Sequence, residues 1–241
     1  MKVAEKIEKK INRIKVGTTF SYQQLGIAMD EYGAATKAIE RFIRKGGIKR
    51  ASAGVFYKPK QTAFGEIRPR EEELLKPYLF EEGKRIAYVT GGSLYNLMGL
   101  TTQVPKTIRV ASREKRVITK IGKTQVKPAK SYVDVTNENY FMLEILDALK
   151  DFKTIPDLDK KSAIRILGAK IDSLAETDLA RLLKYALKYP PRTRAFLGAI
   201  LSVLKKEIGL VNLKASLNPL SKFELGLNEE ALSSATNWNI Y

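Results

Sequence analysis

The segment from residue 34 to residue 58 constrains the fold most, because a helical pattern changes there to a two-strand pattern at a pair of glycines. Apolar residues recur at helical spacing and form one stripe: Ala35, Ala38, Ile39, Phe42 and Ile43. The other side is polar or charged: Thr36, Lys37, Glu40, Arg41, Arg44 and Lys45. Gly46-Gly47 ends this helix, and residues 48–51 and 55–58 then have the pattern of two short strands around a Ser52-Ala53-Gly54 turn. We therefore expect an amphipathic helix followed directly by a β-hairpin.

Two further helical patterns precede this segment. Apolar residues at spacings of four, four and three predict a first helix that ends near Gly17: Val3, Ile7, Ile11 and Ile14. Ser21 stands at the cap position of a short second helix that ends within residues 29–33. Three helices followed by a β-hairpin is the order of a winged helix-turn-helix, whose third helix enters the major groove of DNA. We predict such a double-stranded DNA-binding domain over residues 1–65.

Positive charge is concentrated in the same region. The chain has 43 Lys and Arg against 26 Asp and Glu, a formal net charge of +17, which favours nucleic acid or an anionic membrane as partner. Residues 1–70 contain 16 of these basic and 6 of these acidic residues. The candidates for contact with base edges are Thr36, Lys37 and Arg41. The candidates for contact with phosphate are Ser21, Tyr22, Arg44, Lys45, Lys49, Arg50 and Lys58. A solvated helix face, or a winged helix that binds protein, is the alternative interpretation.

The chain contains no cysteine and no histidine. Disulfides, thiolate nucleophiles, histidine general bases and Cys/His zinc sites are therefore excluded, whereas a carboxylate-bound Mg²⁺ or a Lys- or Tyr-based mechanism is not. We expect a protein that is not an enzyme, with no cofactor and no metal. No apolar run approaches the roughly 18 residues of a membrane span, and the N-terminus lacks an apolar signal segment. The sequence thus predicts a cytoplasmic protein with no membrane partner.

A second basic concentration lies between residues 106 and 130, where nine Lys and Arg are accompanied by one acidic residue, Glu114. Residues 107–111, 116–121 and 124–127 alternate apolar and charged residues, and Gly122-Lys123 is a two-residue hairpin turn. The pattern predicts a basic β-ribbon. Its candidate functional residues are Arg109, Arg113, Lys115, Arg116, Lys120 and Lys123.

The remaining patterns complete an α+β fold, in which a domain over residues 66–241 follows the winged helix. Residues 66–150 are expected to be mixed α/β and to carry the ribbon, and residues 151–241 to be mainly helical. The pattern predicts a connection over 61–70, a helix over 71–80, a strand over 86–89 and a helix with Leu94, Leu97 and Met98 on one face. Further along the chain it predicts helices over 141–149, 160–174, 177–188 and 192–205. Trp238 is expected to dock the C-terminal tail onto the core, with a partner contact as the alternative.

Three short motifs resemble parts of enzyme or metal sites but have simpler explanations. Gly122-Lys123-Thr124 matches the end of a Walker A motif, yet residue 117 is Val where a Gly is required, so a hairpin turn is favoured. Gly91-Gly92-Ser93 resembles the opening of nucleotidyltransferase sites, but no acidic residue occurs between Glu82 and Glu114 to hold Mg²⁺. Asp157-Leu158-Asp159 precedes a helix, where a capping Asp is expected.

Several segments together resemble the AbiEi-type antitoxins of bacterial abortive-infection toxin-antitoxin systems, and the likeness spans nearly the whole chain. The segments are RKGGIKRASAGVFYKP, GGSLYNLMGLTTQVP, the basic ribbon, SLNPLSKFELG and ATNWNIY. The resemblance implies a winged helix that represses its own operon and a C-terminal domain that neutralises a nucleotidyltransferase toxin without a stable complex (type IV). By position it implies operator contacts for Thr36, Lys37, Arg41 and Arg44. It makes the six ribbon residues candidates for antitoxicity or for additional DNA contact.

Two alternatives from other classes stay open. One is a transcriptional regulator whose second domain senses a ligand or a partner and which has no toxin. The other is a degenerate nucleotidyltransferase that acts on RNA through the basic ribbon, although the missing carboxylate pair argues against it.

Overall fold

The computed structural model describes residues 3–241, which form a mixed α+β fold in two units. The first unit runs to Gly83 and also contains residues Ile118–Gln125; the second comprises Lys84–Val117 and Val126–Tyr241. The boundary thus falls after Gly83, whereas the sequence predicted a division after residue 65. The difference arises because residues 71–79 form a helix that packs on the first strand, where Glu73 accepts a hydrogen bond from the Thr19 amide.

The first unit begins with helix α1 (Val3–Arg13), strand β1 (Thr19–Ser21), helix α2 (Tyr32–Arg44) and strands β2 (Lys49–Ser52) and β3 (Val55–Tyr57). The strands form an antiparallel sheet in the order β1-β3-β2, with Phe20 opposite Phe56. The apolar faces of α1 and α2 pack together with this sheet, since Ile7, Ile39 and Phe56 are almost completely buried. Helix α2 and the hairpin after it confirm the prediction for residues 34–58.

The predicted second helix does not form. Ser21 ends strand β1 instead of capping a helix, and residues Gln23–Leu25 and Met29–Glu31 form two separate 3-10 turns. Gly26, at φ 51°, lies in the left-handed region between the two turns, which interrupts any continuous helix. The side-chain oxygen of Gln24 accepts the Ser21 amide hydrogen, so Gln24 satisfies the backbone group at this turn.

The first unit continues with a hairpin of strands β4 (Lys60–Thr62) and β5 (Gly65–Ile67), helix α3 (Glu71–Leu79) and strand β6 (Phe80–Glu81). Helix α3 confirms the prediction for residues 71–80, and three glutamates in its first turn suit the positive end of the helix dipole. Residues 61–70 were expected to be a plain connection, and the hairpin there corrects that expectation. Its residues are mostly exposed, so the strands lack the alternation of apolar and polar residues by which a half-buried strand is recognised.

The second unit starts with strand β7 (Lys84–Arg85), strand β8 (Ala87–Thr90), helix α4 (Gly92–Leu97) and strand β9 (Thr107–Ser112). Strand β8 pairs antiparallel with β9, and β11 (Thr124–Lys130) lies on the other side of β9. Between β9 and β11 the chain forms β10 (Thr119–Ile121), which belongs to the first unit; β10 pairs with β11, and Gly122 turns the chain between them at φ 61°. The ribbon is therefore present, but β10 is shorter than predicted and Arg113 to Arg116 lie outside any strand. Leu97, expected to be inside, is 83% exposed.

The C-terminal half of the second unit is helical, as predicted. Its helices are α5 (Tyr140–Asp151), α6 (Lys160–Asp172), α7 (Glu176–Ala186), α8 (Pro191–Val203) and α9 (Leu210–Ala215), and only α9 had no predicted counterpart. Their buried faces share one core with α4 and β8, in which Leu146, Leu167 and Phe196 have no exposed surface. Trp238 is buried against α8 and docks the tail, which confirms the prediction for this residue. None of the helices within residues 3–241 is both long and apolar enough to cross a membrane.

Candidate nucleic-acid interface

Helix α2 presents a row of cations to solvent. Ala35, Ala38 and Ile39 are buried and hold one side of the helix against the core of the first unit. Lys37, Arg41 and Arg44 are exposed and lie at i, i+4 and i+7, so they follow one line along the opposite side. None of the three forms an ion pair with another residue of the described range 3–241. The helix therefore offers three uncompensated positive charges in a single row.

Thr36 is engaged within the same helix. Its hydroxyl donates a hydrogen bond to the carbonyl oxygen of Tyr32 at 3.0 Å, and the side chain is half-buried. A hydroxyl that already donates to its own helix has only its lone pairs left for another partner. Thr36 therefore lies next to Lys37 in the helix, but its hydroxyl hydrogen is already used in a hydrogen bond.

Tyr22 and Ser21 lie at the start of the turn that replaces the predicted second helix. The ring of Tyr22 packs between Tyr32, with ring centroids 4.9 Å apart, and Phe56, at 5.2 Å in an edge-on arrangement. Ser21 lines a cavity of about 810 Å³ together with three glutamates of the first unit, Glu73, Glu81 and Glu82. Lys76 lines the same cavity and is paired with Glu73, so the surroundings of Ser21 remain acidic on balance and are unfavourable for the phosphate contact expected of it.

The cations of the β2–β3 hairpin are less available than their sequence suggests. Lys49 forms an ion pair with Glu66, 2.6 Å from nitrogen to oxygen, and the hydrogen bond to this carboxylate raises the pKa of the lysine. The ammonium group of Lys58 donates to the carbonyl oxygens of Asn12 at 3.3 Å and Ile14 at 3.4 Å, at the C-terminal end of α1. Arg50 is exposed, with its guanidinium carbon 5.8 Å from the centroid of the Phe56 ring. Arg50 is thus the one cation of these three without an acidic or carbonyl partner among residues 3–241.

The six ribbon candidates are all exposed, but they do not form one group. Lys120 and Lys123 belong to the first unit, whereas Arg109, Arg113, Lys115 and Arg116 belong to the second. Arg113 forms an ion pair with Asp134 at 3.2 Å, and the aliphatic part of Arg109 packs against Gly91. Adjacency in the sequence therefore did not indicate that these charges are divided between two units.

The most strongly buried charge of the second unit was not anticipated. Asp147 on α5 has no exposed surface and accepts hydrogen bonds from the Tyr88 hydroxyl at 2.9 Å and the Thr90 hydroxyl at 2.6 Å. Lys150 completes the group at 2.8 Å; although burial alone would lower its pKa, the Asp147 carboxylate raises it. The signals were present in the sequence as the Asp147–Lys150 spacing of three on a helix and the alternation of Tyr88 and Thr90 on a strand. Every charge in this group is paired, which is the arrangement of a structural network.

The motifs that resemble enzyme or metal sites have structural roles. Gly122-Lys123-Thr124 forms the turn and start of a β-hairpin, as predicted. Gly91 lies at φ 71° before α4, and a side chain at Gly92 would press on Pro105. Asp159 caps α6, where its carboxylate accepts the Ser162 amide hydrogen at 2.6 Å. Within residues 3–241 there is no group of three or more acidic, His or Cys residues with the geometry to hold a metal ion.

Comparison with known proteins gives one family and a distant structural likeness. A family model described as "Family of unknown function (DUF6088)" matches residues 6–174. No curated protein matches the chain. The crystal structure of the RV2827C protein from Mycobacterium tuberculosis is similar to it, with 12% sequence identity, a TM-score of 0.48, and coverage of 91% of this chain and 83% of that chain. The segment matched by the family model includes helix α2 and all the strands of both units.

Proposed function

The chain belongs to DUF6088, a family of unknown function, and we propose that it binds double-stranded DNA through helix α2. In this proposal the protein acts by binding and not by catalysis. The observation that carries it is the exposed row of Lys37, Arg41 and Arg44, which has no acidic partner within residues 3–241.

The topology of the first unit supports the proposal. The order α1, β1, α2, β2, β3, with the sheet order β1-β3-β2, supports the interpretation as a winged helix in which the second helix is reduced to 3-10 turns. In such a domain the helix before the hairpin enters the major groove, and here that helix is α2. An α-helix with its side chains is about 10–12 Å across, which suits a groove about 12 Å wide.

Roles within the interface follow from chemistry and availability. Lys37 and Arg41 are assigned to base edges, because Lys and Arg recognise the O6 and N7 acceptors of guanine in the major groove. Arg44, Lys45 and Arg50 are assigned to phosphate oxygens. Thr36, Ser21, Tyr22, Lys49 and Lys58 are given smaller roles, since each is occupied or poorly placed as described above.

The resemblance to AbiEi-type antitoxins supports a more specific biological role. We propose that DNA binding represses the protein's own operon in the cytoplasm, and that the second unit neutralises a nucleotidyltransferase toxin encoded beside it. A regulator without a toxin would share the DNA-binding half of this proposal and lack the second half. The gene next to the coding sequence distinguishes the two.

Reversal of two charges on α2 tests DNA binding. We expect the double variant Lys37→Glu/Arg41→Glu to lose at least 100-fold in affinity for a duplex carrying the upstream region, since two attractive contacts become repulsive and each base contact is worth about 1–3 kcal/mol. Fluorescence anisotropy at several salt concentrations measures the loss. The matched control is Lys184→Glu/Lys188→Glu, which reverses two exposed charges four residues apart in the second unit. Equal affinity of the α2 variant and the wild type would contradict the proposal.

A further inference from the structure

The hairpin turn between β10 and β11 belongs to the first unit, although the residues on both sides of it in sequence belong to the second. Within the first unit β10 lies beside β2, the edge strand of the three-stranded sheet. Strand β2 is also the first strand of the β2–β3 hairpin, which is the wing of the proposed winged helix. Ile121 of this turn is 5% exposed. The neighbouring Lys120 is exposed, as the alternation of side chains along a strand requires.

The turn carries positive charge only. Residues 118–125 contain two lysines and no acidic residue, and both Lys120 and Lys123 are exposed. Arg68 joins them: its guanidinium lies over Gly122, where an added Cβ atom would be 2.6 Å from Nη1. Among residues 3–241 neither lysine forms an ion pair with a carboxylate. The turn thus contains two exposed lysines and has the guanidinium of Arg68 beside it.

The β2–β3 hairpin has few cations of its own that are available to phosphate. Lys49 of β2 is paired with Glu66, and Lys58, next to the end of β3, is bonded to carbonyl groups of α1 and the residue after it. A wing that follows the DNA backbone must present cations to phosphate, because each phosphate contact contributes through the release of condensed counterions. Arg50 alone is a weak basis for that contact.

We propose that the β10–β11 turn, with Lys120, Lys123 and Arg68, is a second wing of the DNA-binding unit and contacts the phosphate backbone beside β2. The inference rests on the proposed DNA-binding function and adds an interaction surface to it. The second wing is sequence-independent in its chemistry, because lysine and arginine on phosphate carry no base information. Recognition of sequence stays with α2.

Neutralisation of the turn lysines tests this surface. The variant Lys120→Gln/Lys123→Gln should bind a duplex of about 30 base pairs of arbitrary sequence about tenfold more weakly near 0.1 M salt. The slope of log affinity against log salt concentration should fall by about 2, because each lysine neutralises one phosphate in the wild type. The matched control is Lys106→Gln/Lys127→Gln, which removes two exposed lysines of the same ribbon that belong to the second unit. The control should keep the wild-type affinity and slope.

The outcomes separate this inference from the function on which it rests. An unchanged slope for Lys120→Gln/Lys123→Gln, with binding abolished by Lys37→Glu/Arg41→Glu, overturns the second wing and leaves the proposed function standing. An equal loss in the Lys106→Gln/Lys127→Gln control also overturns it, because the effect would then follow total charge alone. Absence of DNA binding by the wild type overturns both.

The lack of cysteine provides a second readout that a merely structural role of the turn would not produce. A single Lys123→Cys carrying an azidophenacyl group should cross-link to the duplex on irradiation. The same label at Lys127→Cys, on strand β11 beyond the turn and in the second unit, should not. Cross-linking from residue 127 and none from residue 123 would contradict the proposal.

Discussion

Glu144 on α5 is a single residue whose surroundings favour its neutral form. Burial raises the pKa of this carboxyl group to about 7, even though the positive charges of Arg85 and Lys170 act in the opposite direction. The charge of Asp147, one turn along the same helix, adds to the rise. A group whose native pKa lies above its ordinary value of 4.5 binds its proton more tightly in the folded chain. The contribution of Glu144 to stability is therefore greatest at low pH and falls as the pH rises from about 4.5 to about 7.

The substitution Glu144→Gln tests this effect. It should raise the free energy of unfolding by about 1–3 kcal/mol at pH 8, where the native carboxyl group must ionise, and change it little at pH 4, where both states are neutral. Urea unfolding at the two pH values measures the difference. An equal gain at both values would assign the effect to packing and not to the charge.

For the candidate DNA-binding residues, helical spacing predicted which side chains are exposed but not which of them have partners. Spacing alone predicted that Lys37, Arg41 and Arg44 share one exposed line, because a helix converts spacing into direction. It gave no warning that Lys49 pairs with Glu66 or that Lys58 caps α1. Those partners are 17 and 44 or more residues away, and only the folded chain brings them together.

Helix α8 and the C-terminal segment pack closely because Gly198 of α8 leaves room for the side chain of Trp238. The indole of Trp238 lies on Gly198 so closely that a Cβ atom there would collide with the ring. The indole nitrogen donates a hydrogen bond to the Ser202 hydroxyl at 3.0 Å, one turn further along the helix. Trp238 is 5% exposed in this arrangement.

Gly198→Ala should therefore destabilise the second unit despite alanine's higher helix propensity. Displacement of the ring costs about 1–3 kcal/mol, which exceeds the gain of about 1 kcal/mol from propensity. The matched control is Gly168→Ala in α6, whose new methyl group would meet Ile200 at an ordinary 3.9 Å. That variant should be neutral or more stable in thermal unfolding. Similar melting temperatures for the two variants would argue against close packing at Gly198.

The elements also differ in how far the sequence predicts them. Helices α5 to α8 are long and periodic, and each was expected within a few residues of its observed bounds. The prediction of a second helix was wrong because residues 19–21 pair with β3. This long-range strand pairing outweighs the local capping signal of Ser21. The β4–β5 hairpin has no buried face, so it left no pattern to recognise.

For the whole molecule, the proposed separation of roles predicts that one activity can be lost without the other. Full-length Lys37→Glu/Arg41→Glu should fail to repress the operon yet rescue growth when a neighbouring nucleotidyltransferase toxin is co-expressed, because both substitutions lie in the first unit. Growth rate and promoter activity, measured in the same cells, report the two roles. Loss of both in a folded variant would contradict the separation, and no rescue by the wild type would remove the antitoxin role.

Point variants suit that test better than a fragment that begins at residue 66. Such a fragment would lack β4, the partner strand of β5. It would also lack β1, on which α3 packs, and β2, beside which β10 lies. The sequence could not indicate this, because residues 118–125 lie far along the chain from the rest of their unit. Composition shifts and linkers mark boundaries only where each unit is one continuous segment.

The chain passes between its units three times, after residues 83, 117 and 125. A recombination event with one crossover between residues 84 and 117 would therefore join the β2 of one parent to the β10 of the other. Such a crossover would separate residues 118–125 from the strand beside which they lie, so inherited changes in β2 and in residues 118–125 should accumulate together. In this protein, a unit that is continuous in space is divided in the gene.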